Sequence, residues 1–279
     1  MTSPIAAVVF DWAGTMVDFG CMAPVASLRT AFAGEGVEIT DAEARRDMGM
    51  AKRDHISAIL AIERIAAAWI AVHGAASTVA DGDRLHDAVE PLMRAAAGVH
   101  SALIPGAAEL VARLRADGVK IGSCTGYTRI MMADIMPLAA AQGYAPDVVV
   151  CSGETATGRP SPLMLWKVLT DLKAWPVRAC VKVDDAPVGV AEGVAAGAWT
   201  VGLSGSGNGM GLSLADYQAL PAPDRAARVG GAAAALKAAG ADYVIATVAD
   251  LPEVLEEIAA RIAAGERPGR RGTVLLAGA

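Results

Sequence analysis

Three apolar runs in this 279-residue chain end on residues that can do chemistry. Val9-Phe10 leads into Asp11-Trp12-Ala13-Gly14-Thr15, Gly122-Ser123 into Cys124-Thr125-Gly126-Tyr127, and Lys182-Val183 into Asp184-Asp185. A fourth stretch, Gly158-Arg159-Pro160-Ser161-Pro162, places a cation just ahead of a helical segment. A carboxylate at the C-terminal tip of a buried parallel strand is costly unless it is paired or binds a metal. Gly14 and Thr15 let the backbone turn closely around a ligand. Thr125, with the backbone N–H groups around Gly126, is suited to phosphate oxygens.

The elements that must position these residues follow from hydropathy. Apolar, β-branched runs at Ile5–Phe10, Val119–Ser123, Asp147–Cys151, Cys180–Val183, Trp199–Leu203 and Tyr243–Ile245 are apolar on both faces. That is the pattern of parallel strands covered on both sides by helices. Helical segments separate them at Ala107–Ala116, Thr128–Gln142, Pro162–Ala174, Val188–Ala196 and Leu251–Ala264. Gly118, Gly143, Gly197 and Gly265 stand where C-terminal caps belong, and Ser161-Pro162 reads as an N-cap with proline at the first helical position. The alternation predicts an α/β fold, a doubly wound parallel-sheet (Rossmann-like) core. From Cys21 to about Val99 it breaks. Thr40-Asp41-Ala42-Glu43 is a capping box, Ala51–Val72 carries Ile56, Ile59, Leu60, Ile65, Ala66 and Trp69 at helical spacing, and Asp83–Ala97 reads as a further helix. The expected organisation is a core domain of residues 1–20 and 100–279 with an inserted all-helical cap of residues 21–99 over the sheet's C-terminal edge.

Composition narrows the partners. Apolar residues make up 54% and charged residues 19%, which excludes a disordered chain, and the net charge of −6 with scattered basic residues argues against nucleic acid or an anionic membrane. Cys21, Cys124, Cys151 and Cys180 form no CxxC pair and read as reduced thiols. Met1-Thr2-Ser3-Pro4 lacks a basic targeting region. The longest uncharged stretch, Gly193–Ala215, is rich in Gly and Ser and reads as loop-rich and not as a membrane span. A cytoplasmic protein is expected.

An Asp, a hydroxyl, a cation and a carboxylate in this order on successive α/β units resemble the haloacid dehalogenase superfamily over essentially the whole chain. The resemblance implies that Asp11 attacks phosphorus to form an aspartyl phosphate, with Mg²⁺ neutralising charge. One departure is informative. Phosphatases of the superfamily carry a second Asp two residues after the first, as the acid for a leaving oxygen; here that residue is Ala13. Met48-Gly49-Met50-Ala51-Lys52-Arg53-Asp54-His55 resembles the cap motif of the phosphonatase branch, which has that Ala and a Schiff-base lysine. FDWAGTMVDFGCMAP, MGMAKRDH, GSCTGYT, GRPSP and KVDD match the branch jointly.

The branch implies hydrolysis of the C–P bond of phosphonoacetaldehyde to acetaldehyde and phosphate. A departing carbanion is unfavourable, and an imine on Lys52 lets the carbon leave as a neutral enamine, so the acid missing at Ala13 is not needed. Without the motif Lys52 would read as a solvated surface charge. The resemblance further implies His55 as a proton shuttle one helical turn from Lys52, Met48 beside the lysine, Tyr127 near substrate, and Thr125, Gly126, Arg159 and Cys21 lining the substrate pocket. Cys21 reads as a hinge or pocket residue and not a nucleophile; His73, His86 and His100 read as structural or surface residues. The implied metal ligands are Asp11, the Ala13 carbonyl and Asp185, with Asp184 either a ligand or a group behind them. Gly189 stands where some relatives have a further Asp, which leaves the outer metal shell open. A homodimer through the cap helices is also implied, and Trp69 fits either that interface or the core. The rival readings are a phosphomonoesterase or dehalogenase of the same superfamily, which needs neither Lys52 nor Ala13, and a non-catalytic binding protein, which has no use for Asp11, Thr125, Arg159 and Asp185 together.

Overall fold

The computed structural model describes residues 3–269 and 273–275. The strands are β1 Ala7–Phe10, β2 Lys120–Thr125, β3 Val148–Cys151, β4 Cys180–Asp184, β5 Trp199–Leu203, β6 Tyr243–Ile245 and β7 Val274–Leu275. Among the described residues they form one sheet of seven strands, ordered β3-β2-β1-β4-β5-β6-β7, and every pairing is parallel. β1 shows why both faces must be covered: Val8 and Phe10 enter one hydrophobic cluster, and Ala7 and Val9 enter a second on the opposite face. β7, too short to show a period, was not anticipated.

Five helices lie between β1 and the next core helix: α1 Met22–Gly34, α2 Asp41–Arg45, α3 Lys52–Leu60, α4 Glu63–His73 and α5 Val79–His100. The core helices are α6 Ala107–Ala116, α7 Arg129–Ala141, α8 Leu163–Asp171, α9 Pro187–Ala196, α10 Leu214–Ala219, α11 Ala222–Ala238 and α12 Leu251–Ala263. The Thr40 capping box forms with Glu43, and Thr78 with Asp81 makes another that starts α5 ahead of its expected Asp83. The four expected cap glycines all take positive φ. Two expectations differ. The helical pattern over Ala51–Val72 is two helices, α3 and α4, bent by 81°. The bend lets Ile56 and Ile59 on one piece and Ile65 and Trp69 on the other all be buried, although the apolar phase runs on. Pro162 flanks α8 from outside, and Ser161 Oγ accepts from Leu163 N at only 3.4 Å.

The inserted helices share the sheet's core. Ile56, Trp69, Leu85 and Met93 belong to the same cluster as Val8, Phe10, Ile121 and Val181, and α5 packs against both α1 and α7. Trp69 is buried and stacked on His73, ring centroids 4.2 Å apart, so it is a core residue. The two crossings between sheet and inserted helices are tied together. The Asp18 carboxylate accepts from Met22 N at 3.1 Å and Ala23 N at 3.0 Å, at the positive end of α1, and lies 3.1 Å from His100 Nδ1. All four cysteines are free and buried. Among the described residues no single helix is long and apolar enough to cross a membrane.

Candidate active site

The register Phe10↔Ser123 and Phe10↔Val183 brings the ends of β1, β2 and β4 to one edge. Strand order changes direction about β1, and open α/β sheets bind ligands at such a point. Asp11, Ala13, Cys21, Met48, Gly49, Met50, Lys52, Thr125, Gly126, Tyr127, Arg159, Asp185 and Ala186 line one narrow cavity there, with about 20 Å³ open to water-sized molecules. Of the residues expected at the site, His55 and Asp184 are not in this lining.

Arg159 is fully buried and fixes the floor. Its Nη1 lies 2.9 Å from Asp11 Oδ1, its Nε 3.0 Å from Glu192 Oε2, and its Nη2 donates to the Cys124 carbonyl at 2.7 Å. Asp185 accepts from Thr15 Oγ1 at 3.2 Å, from Asn208 N at 2.7 Å and from the Cys21 thiol at 3.4 Å. Gly14 is required here: its φ is +78°, and a Cβ would sit 2.5 Å from Asp185 Oδ2. Asp184 turns its carboxylate to Lys182 Nζ, 2.9 Å, and Arg159 Nη2, 3.3 Å, with Ala186 N donating to its other oxygen at 3.0 Å.

Asp11, Asp184 and Asp185 each offer an oxygen within 4.8 Å of the others, all buried. Burial and the neighbouring Asp184 raise the Asp11 pKa to about 6. Burial, Asp11 and Asp184 raise that of Asp185 to about 8. Two buried carboxylates that resist ionising together suit a divalent cation with oxygen ligands, which would remove the repulsion. Asp184 is held below the usual carboxylate range by Arg159 and Lys182, against its own burial.

The lysine side of the cavity is apolar and aromatic. Lys52 opens α3 and is only 2% exposed. Its Nζ lies 3.9 Å from Met48 Sδ and 5.2 Å from the Tyr127 ring centroid. Burial lowers its pKa to about 8, against the pull of the Cys21 and Asp11 side chains. The Tyr127 hydroxyl is buried without a hydrogen-bond partner, and burial holds its pKa high. His55 is fully buried behind Lys52, and burial, then the Lys52 charge, push its pKa down to about 3, so the ring is neutral. Cys21, in the left-handed region at φ +52°, caps α1, and burial beside Asp185 keeps its thiol protonated. Thr125 Oγ1 accepts from Tyr127 N at 3.1 Å. Gly126 lines the cavity, and a Cβ there would lie 2.5 Å from Met50 O, so it also seats the loop that carries Lys52.

Sequence reasoning did not single out Glu192, Lys182 as a core group, Ser206 or Asn208. Ser206 Oγ donates to Gly14 O at 2.7 Å, and both Ser206 and Asn208 lie in the uncharged stretch after β5. Their place just past a strand's C-terminal end was the available signal.

The class defined by this edge is confirmed by comparison. A family model for haloacid dehalogenase-like hydrolases matches residues 5–197, and the chain belongs to that family. Within it the chain belongs with the phosphonoacetaldehyde hydrolases. It is 49% identical to the phosphonoacetaldehyde hydrolase of Paraburkholderia xenovorans, over 95% of this chain and 99% of that protein. It is 45% identical to the one from Nitratidesulfovibrio vulgaris, over 95% of each. A crystal structure of a phosphonoacetaldehyde hydrolase-like protein from Oleispira antarctica superposes with a TM-score of 0.93 at 42% identity, covering 96% of this chain and 98% of that one.

Proposed function

We infer that the protein hydrolyses the C–P bond of phosphonoacetaldehyde to acetaldehyde and phosphate. Full-length similarity to enzymes of that name supports the reaction. The observation that carries the route is a buried lysine of lowered pKa sharing a cavity with a buried aspartate and arginine. Lys52, partly neutral near pH 8, condenses with the aldehyde and releases water. Asp11 then attacks phosphorus in line while Arg159 Nη1 and Thr125 hold phosphonate oxygens. The imine nitrogen carries a proton, and the C–P electron pair passes into this iminium, so the carbon leaves as a neutral enamine and needs no acid at Ala13. Water hydrolyses the aspartyl phosphate, and protonation and hydration of the enamine return acetaldehyde and free Lys52. Met48 and Tyr127 keep the amine desolvated. Tyr127, whose ring centroid lies 5.2 Å from the amine, and His55, whose pKa the Lys52 charge depresses, are the proposed proton carriers on the lysine side.

Asp11, Asp185 and the Ala13 carbonyl would hold Mg²⁺, which when bound offsets the charge of the phosphonate. Asp184 serves behind these ligands, since its carboxylate is taken up by two cations. The division proposed is a core of residues 1–20 and 100–279 and a cap of residues 21–99. Cap movement is proposed to admit the substrate and then to bring Lys52 to Asp11 and exclude water. A homodimer through the cap is proposed on the exposed α4 side chains Ile70 and Val72, and a cytoplasmic location on the free thiols.

The test is borohydride reduction in the presence of acetaldehyde, followed by peptide mapping. A reduced adduct on Lys52 is expected. An adduct confined to Lys120, Lys167, Lys173, Lys182 or Lys237 would return the phosphomonoesterase reading to first place.

A further inference from the structure

Beneath the nucleophile lies a buried ionic cluster. Arg159, Lys182, Asp184 and Glu192 have side chains with no solvent exposure. Glu192 Oε2 takes Arg159 Nε at 3.0 Å, Lys182 Nζ at 3.3 Å and the Cys124 thiol at 3.3 Å. Lys182 Nζ also reaches Asp184 Oδ2 at 2.9 Å and Cys124 Sγ at 3.1 Å.

The packing is built to admit this cluster. Glu192 and Lys182 can meet only because α9 lies almost on β4. A Cβ on Gly193 would sit 2.9 Å from Lys182 Cβ, and one on Gly189 would collide with the Asp184 carboxylate. The glycine at 189, where an outer metal ligand was considered from sequence, is instead the space into which Asp184 turns. Replacing a buried ion cluster by apolar side chains is often neutral or stabilising, so stability alone does not account for it.

Geometry supplies the account. A guanidinium is a rigid planar fork, so fixing two of its nitrogens fixes the third. Glu192 holds Nε, while the Cys124 carbonyl and Asp184 hold Nη2. Nη1 is thereby aimed at Asp11, 2.9 Å away, and at the cap-loop carbonyl of Gly49, 3.3 Å away. Lys182 balances Glu192 and Asp184, so that neither draws Arg159 off this line. We propose that Glu192 and Lys182 are positioning residues that fix the Arg159 fork, so that one edge alone meets Asp11 and the incoming oxyanion. A lysine in place of Arg159 would need no such frame, because an ammonium has no fork to orient.

The proposal rests on the role given above to Asp11 and Arg159, and the test separates the two. Glu192→Gln keeps shape but loses the charge. Glu192→Gln combined with Lys182→Met removes one charge of each sign and leaves the buried balance unchanged. Both are assayed with Mg²⁺ for phosphonoacetaldehyde turnover, for orthovanadate affinity by calorimetry, and for borohydride trapping of Lys52 by acetaldehyde, which carries no phosphonate. For each variant kcat is expected to fall at least tenfold and orthovanadate to bind at least tenfold more weakly. Trapping of Lys52 is expected to stay within twofold of wild type. Wild-type kcat and orthovanadate affinity in either folded variant would overturn the proposal. So would a parallel fall of all three readouts with melting temperature, the signature of a structural role. If the wild-type enzyme failed to turn over phosphonoacetaldehyde, the reaction assigned above would fail, and orthovanadate affinity would still decide the positioning role.

Discussion

The lowered pKa of Lys52 makes a quantitative prediction. Burial brings the amine from its ordinary 10.5 to about 8, a difference of about 3 kcal/mol between the protonation states. At pH 7 an ordinary lysine is neutral in about 0.03% of molecules and one of pKa 8 in about 10%, a gain of roughly 300-fold in nucleophile. The rate of borohydride trapping by acetaldehyde should therefore rise with pH, pass half its maximum near pH 8 and level off above about pH 9. Met48→Asp is the perturbation. It would bring a carboxylate close to Nζ, where Met48 Sδ now lies 3.9 Å away. A unit charge pair at that range contributes up to about 4 kcal/mol at an effective dielectric constant of 20. Recovering even a third of that raises the Lys52 pKa by about one unit and cuts trapping at pH 7 about tenfold. The linkage has a definite sign. Because the folded pKa is depressed, the unfolded chain binds more protons between pH 8 and 10.5, so Lys52 makes the fold more stable as pH rises through that window. A wild-type trapping profile still climbing at pH 10 would refute the reasoning.

Three further outcomes are expected. Gly126→Ala should lower kcat at least tenfold, because its Cβ would meet Met50 O at 2.5 Å and push the Lys52 loop off its seat; steady-state kinetics with thermal melting would check this, and an unchanged kcat would count against the seat. His100 is raised above its ordinary pKa by its hydrogen bond to Asp18, so its contribution is full below pH 6.5 and is lost as pH rises through the folded value; the gap in melting temperature between wild type and His100→Gln should be wider at pH 5.5 than at pH 8.5. Asp185→Ala, or exhaustive EDTA treatment, should abolish turnover, since the buried acidic group would lose either a ligand or its cation; undiminished phosphate release in either case would remove the metal from the account.

Much of the site was legible because its residues end apolar runs. Asp11, Thr125 and Asp184-Asp185 fall where parallel strands end, and Arg159 just ahead of a helix, so chain order alone placed them on one edge. The bend between α3 and α4 was not legible, because Ile59, Leu60, Ile65 and Trp69 keep helical phase with neither Pro nor Gly between them. The seating of the Lys52 loop on Gly126 was not legible, because the Met50 carbonyl it meets is known only from the fold. Glu192 and Lys182 were hidden for a different reason. A charged residue in an apolar helix or strand signals burial only once its partner across the fold is known: Glu192 meets Arg159, 33 residues away, and Lys182, 10 residues away, and only the fold shows that Lys182 and its strand neighbour Asp184 face this pair.

The most direct measurement is phosphate release from phosphonoacetaldehyde and from p-nitrophenyl phosphate, by wild type and Lys52→Arg side by side with Mg²⁺. Arginine keeps the charge and most of the length but forms no imine at useful rates. The account predicts rapid release from phosphonoacetaldehyde by wild type alone, with acetaldehyde formed in equal amount, and little from the ester by either. A Lys52→Arg enzyme that still cleaves phosphonoacetaldehyde, or a wild type that prefers the ester, would contradict it.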